Sequence, residues 1–223
     1  MKRIGCNELP PVGSAERVVF LRRLGAAADL SQQPWLEAIE AGSLPPEADL
    51  LRVLGPRLDA AAALRLLNMG LRRSAGGTVE PVLLETAGGV RHPLLAARLR
   101  RELDPPSDPT IASLLLPLLG HQRDRRDFPL LQRLVLEPGP LSLRHASVEA
   151  LARGLPCWPE PDLATTLEKL AGDLDANLAA AAVDLLARLP SGMTVLRRLT
   201  QADLDRQVRR RLERRLRGRL RCP

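Results

Sequence analysis

Two ten-residue stretches, 143–152 and 178–187, carry Leu, Ala, Val, an acid, Leu and Ala at matching places, with a shift of 35 residues. A fainter match follows about 30 residues later, through Val208, Leu212 and Leu216, and Leu58, Ala61 and Leu66 echo the template upstream. In the second stretch the apolar residues Leu178, Ala181, Ala182, Leu185, Leu186 and Leu189 follow the i, i+3, i+4, i+7 spacing of one helix face. Each stretch is preceded by another helical segment, 129–136 before the first and 162–171 before the second. A single pair of such helices cannot bury both its faces, so neighbouring pairs must stack. A two-helix unit recurring every 30–40 residues therefore predicts an all-α, solenoid-like stack of antiparallel helix pairs. The alanines in the middle of the stripe predict close helix approach, with Ala181 and Ala182 at the contact.

The rest of the chain agrees with helix. It is 45% hydrophobic but only 2% aromatic, without tyrosine, so Leu and Ala supply the core. Both are strong helix formers, while the β-branched and aromatic residues that favour strands are sparse. No segment shows convincing strand alternation. Start signals fall at Ser14, at Ser31 before Trp35, Leu36 and Ile39, at Pro46, and at Asp59 before a helix that Gly70 closes. Further starts fall at Thr78, at His92 and Asp108 with proline next in line, and at Asp127 with Pro129 in the first turn. Residues 1–13, with Pro10, Pro11 and Gly13, read as an extended or disordered tail. Residues 14–223 read as one helical-repeat domain whose last helix, over about 202–220, is rich in arginine.

The stretches 143–152 and 178–187 resemble the second helix of HEAT repeats, including the bilin-lyase-like bacterial subgroup. The resemblance covers about residues 127–190 and fades over 46–120. The family pattern has an Asp and an Arg at the start of that helix; this chain has Arg144 in one unit and Ala179 in the other. The resemblance implies a curved solenoid that binds protein partners. It also implies two rivals, a bilin-lyase-like assembly factor and a DNA-binding solenoid of the alkylation-repair kind.

Charge points to the C-terminal end. The net charge is +7, yet residues 197–223 alone hold 11 basic and 3 acidic residues, so the remainder is about neutral. Only Lys2 and Lys169 are lysines, an arginine bias that a GC-rich genome also produces. Leu204, Val208, Leu212, Leu216 and Leu220 recur in steps of four and leave the other faces to arginine. One reading is a capping helix, apolar on one side and solvated on the other. The other is an electrostatic contact with an anionic partner through Arg209, Arg210, Arg214 and Arg217. Within it an acidic protein face is preferred to nucleic acid, because single-strand recognition uses stacking aromatics and none lies near this helix.

The remaining motifs are weaker. Trp158, beside Cys157 and among three prolines, is either packed over the joint between two repeats or an exposed aromatic anchor for a partner. His145 and Glu149 are a surface i, i+4 pair rather than a metal site. His121 lies in a polar inter-helix loop, 120–127, that reads as solvated. Cys6, Cys157 and Cys222 form neither a disulfide framework nor a zinc pattern and suit a reducing cytoplasm. Gly76-Gly77 and Gly88-Gly89 follow no strand and read as turns, not phosphate loops. The start of the chain has no apolar run behind its charges, and residues 111–119 are too short to span a bilayer. The sequence thus leads to a non-catalytic protein-binding scaffold without cofactor or metal.

Overall fold

The computed structural model describes residues 34–41, 51, 55, 58–75, 80–106 and 108–219. Among these every regular element is helical and no β-strand occurs. The tail over 1–13, the helix after Ser14 and most of the one after Pro46 lie outside the described residues. Where the sequence suggests one domain, packing divides the chain into two compact units, Met1–Leu99 and Arg100–Pro223.

The first unit contains α1 (Pro34–Glu40), α2 (Ala60–Ala75), α3 (Pro81–Gly88) and the greater part of α4 (Pro93–Leu103). Asp59 caps α2 as expected, its carboxylate accepting from the Ala62 N–H at 2.7 Å. Gly70, however, does not close this helix, which runs on to Ala75. A Cβ at Gly70 would lie 2.7 Å from a methyl of Leu84, so the glycine marks the close approach of α3 to α2. The missing side chain answers to a neighbour in space, not to the end of a helix. Arg65 ties α2 to α1 through Glu40 at 2.6 Å, and Arg73 reaches both Glu80 at 2.7 Å and the Ile39 carbonyl at 2.8 Å. The helix expected from Thr78 begins instead at Pro81, without a side-chain cap.

The second unit takes up the end of α4 and continues with α5 (Pro109–Gln122), α6 (Phe128–Leu136), α7 (Leu141–Arg153), α8 (Glu160–Leu170), α9 (Ala176–Leu186), α10 (Gly192–Leu199) and α11 (Arg206–Arg219). Its helices pack in alternation. α5, α7, α9 and α11 follow one another in contact, and α6, α8 and α10 do the same beside them. Starts in the first series are offset by 32, 35 and 30 residues, and in the second by 32 and 32. The sequence repeat is thus also a repeat of position. Leu143 and Leu178, Ser147 and Ala182, Val148 and Val183, and Leu151 and Leu186 are buried pair by pair. The exception is Ala181, which is half-buried where Ala182 is fully buried, so only one of the two alanines sits at the tight contact.

At two glycines a neighbouring backbone carbonyl leaves no room for a side chain. A Cβ on Gly120 of α5 would fall 2.2 Å from the Ala150 carbonyl oxygen of α7, and one on Gly192 would fall 1.7 Å from the Leu186 carbonyl oxygen. Polar links repeat with the same period as the helices. Gln132 donates to Thr166 at 2.7 Å, Glu160 accepts from the Ser191 N–H at 2.8 Å, and Arg198 pairs with Glu168 at 2.7 Å. Arg144 donates to the Val135 carbonyl at 3.0 Å and pairs with Asp173 just ahead of α9. These links stand on an apolar core, whose burial stabilises the fold far more; partly exposed ion pairs each add only about 0–1 kcal/mol.

Candidate docking face on the last helix

α11 begins where Asp205 turns its carboxylate back to the Gln207 N–H at 2.7 Å. Val208 and Leu212 are buried, as is Leu204 just before the helix, and Leu216 is half-buried. These residues hold the helix against α9, with α10 also in contact. Leu220 lies outside the described residues.

Position around the helix sorts the arginines into two sets. Arg211 and Arg215 border the apolar side, and both pair with Asp184 of α9. Burial opposes the charged form of Asp184, but hydrogen bonds from Arg211 and Arg215 outweigh it and hold the carboxyl below its ordinary value. The second set points the other way. At about 100° per residue, Arg206, Arg217, Arg210 and Arg214 fall within a sector about 80° wide, opposite Val208 and Leu212. All four are exposed. Arg217 pairs with Glu213 at 3.0 Å, one turn back. Arg206, Arg210 and Arg214 have no acidic partner among the described residues; Arg214 Nε only donates to the Arg210 carbonyl at 3.4 Å. Together with Asp205 and Gln207 these three line a shallow open depression. Arg209 stands on the flank of the row, exposed and 3.8 Å from Asp203.

The structure therefore brings together Arg210, Arg214 and Arg217 and places Arg209 beside them. It adds Arg206, which the sequence pattern alone does not single out although it begins the same i, i+4, i+8 series. Trp158 is elsewhere and does not serve as an exposed anchor. It is 4% exposed. Its indole N–H donates to the Leu151 carbonyl at 2.8 Å, and its ring is tilted against Phe128 at 6.0 Å between centroids. Gly154 leaves the space that the ring fills. The packed alternative holds, because an indole that satisfies its N–H on the backbone is stable inside.

The 120–127 loop also departs from expectation. Gly120, His121 and Gln122 belong to α5, whose end is Arg123 in a left-handed conformation at φ 57°. Asp127 is fully buried and bonded to Arg100, which also pairs with Asp124. Burial pushes the Asp127 carboxyl above its ordinary value despite Arg100. A hydrogen bond from Arg126 in turn holds Asp124 well below the usual carboxylate range. The second Asp127 oxygen and the Nε of Arg123 are buried without a hydrogen-bond partner among the described residues. This cluster joins α4, the turn at Arg125–Asp127 and α6; it is a structural joint rather than a solvated loop.

His145 lies 3.6 Å from Asp175, across to the next repeat, while Glu149 pairs with Arg153. Among the described residues no three His, Cys, Asp or Glu side chains gather to hold a metal ion, and no helix is long and apolar enough to cross a membrane. Comparison with protein-family models, curated proteins and solved structures finds no match.

Proposed function

We propose that this chain is a non-catalytic protein-binding scaffold built as a HEAT-like helical solenoid, with a cytoplasmic partner that offers an acidic face to α11. The solenoid reading is supported by helix starts offset by 30–35 residues and by the alternating contacts of two helix series. It is supported further by Arg144, the residue that resembles the HEAT pattern, which pairs with Asp173 of the following unit. The observation that carries the docking reading is the division of arginines on α11. Two share the Asp184 carboxylate on the packed side, and three stand exposed without an acidic partner among the described residues on the far side. Exposed arginines also suit planar, bidentate recognition of carboxylates.

The test is affinity capture from the native cell, with the wild-type chain and an Arg209→Gln, Arg210→Gln, Arg214→Gln, Arg217→Gln variant as baits. The variant should keep its helicity, since exposed charges contribute little to stability. It should lose captured acidic proteins that the wild type retains, and wild-type capture should weaken as salt rises. Identical capture by both baits, with the same salt response, would leave α11 as a cap alone.

A further inference from the structure

From the shape of the arginine row we infer that the partner presents an acidic helix, lying lengthwise along α11; this rests on the docking reading above. Arg206, Arg210, Arg214 and Arg217 advance by four, four and three residues, which keeps them within one face of the helix over roughly 16 Å, or about three turns. A second helix with Glu or Asp at steps of three and four repeats its carboxylates with the same rise, and the long arginine side chains span the sideways offset between the two inclined rows. A loop or a flat acidic surface has no such period.

The neighbours of the row point away from a continuous polyanion. Asp205 lines the depression beside Arg206 and Arg210, Glu213 sits next to Arg217, and Asp203 lies against Arg209. Each would face a phosphate backbone at close range and repel it. Discrete carboxylates set between them, with a lysine opposite Glu213, meet both signs of charge. Nor does α11 carry an aromatic residue for base stacking. The packed side of the helix, held by Val208, Leu212 and the Asp184 pairs, is closed to any partner, which limits contact to the one sector.

The experiment uses the full chain and fluorescence anisotropy at low and moderate salt. The probe is a labelled helical peptide with Glu at steps of four, four and three and one lysine beside the row. A control peptide has the same composition and helicity but its Glu residues scattered around the helix. The patterned peptide should bind at least about tenfold tighter, the factor that several exposed ion pairs acting together supply. That difference should vanish with Arg210→Glu/Arg214→Glu and persist with Arg153→Gln, which removes an exposed pair elsewhere. Circular dichroism and melting temperature check each variant, and Arg206→Gln/Arg210→Gln/Arg214→Gln serves as a milder second test. Equal binding of the two peptides overturns the inference, as does tighter binding of duplex DNA or of phosphatidylserine vesicles. If native acidic proteins are still captured through Arg210 and Arg214 while the two peptides bind alike, the scaffold reading stands and the helical partner falls.

Discussion

Asp127 shows how much one carboxylate can ask of its surroundings. It lies fully buried, shares Arg100 with Asp124, and leaves one oxygen unpartnered among the described residues. Removing it strands part of the Arg100 charge, so Asp127→Ala should destabilise toward the lower end of about 3–5 kcal/mol, because Arg100 keeps Asp124. Its pH dependence runs opposite to that of its neighbours. A carboxyl raised above its unfolded value contributes most at low pH, and that contribution is lost as pH rises through its folded pKa. Asp124, Asp173 and Asp184 are lowered, so their contribution is present above the unfolded pKa and is lost as pH falls. The wild type should therefore lose stability from about pH 5 downward, with Asp127 offsetting part of the loss. Asp127→Asn lacks the offset and should fall more steeply in urea melts as pH drops toward the ordinary carboxylate range. Parallel curves for the two proteins would show that Asp127 titrates as in the unfolded chain. None of this was legible locally, because Arg100 is 27 residues away in sequence and the loop around Asp127 reads as polar.

Among the helices, legibility depended on whether the deciding contact was near in sequence. Asp59 and Asp108 cap their helices as their spacing predicts, since a cap acts within three residues. Gly70 misleads because its reason, Leu84, lies on another helix. The same holds on α11, where the apolar face was plain but the assignment of Arg211 and Arg215 to Asp184 was not. Two substitutions test these packed faces. Leu212→Asp sets a charge against the apolar surface of α9 and should loosen the C-terminal end, seen as early loss of helicity on heating. An unchanged melting curve would mean that α11 is not held by this face. On α9, Ala182→Leu should cost about 1–3 kcal/mol by overpacking. Ala181→Leu should cost clearly less, because Ala181 is half-buried. Equal costs in chemical denaturation would displace the tight contact from Ala182.

Across the second unit, helices touch mainly their sequence neighbours and those two places along. Stability in such an arrangement is built up locally, and the end of the series has fewer neighbours to lean on. Hydrogen exchange should therefore find α7 and α9 most protected, since α7 packs on α5, α6 and α9, and α9 on α7, α8, α10 and α11, with α11 among the least. Uniform protection from α5 to α11 would instead indicate a single cooperative block. The periodicity of this unit was readable because one apolar pattern recurs in α7, α9 and α11. The division of the chain near residue 100 was not, because α4 runs through the boundary with no break in its helical pattern.

The glycine at position 120 has a mechanical meaning. Leucine packed on leucine interdigitates, but one step along such a helix pair resembles the next, so it fixes the register weakly. A notch that admits only a hydrogen atom behaves as a detent. Moving α5 along α7 by one turn, about 5.4 Å, would bring Leu116 to the Ala150 carbonyl, where no side chain fits. Pulled lengthwise, α5 and α7 can part, but the notch resists their creeping past each other.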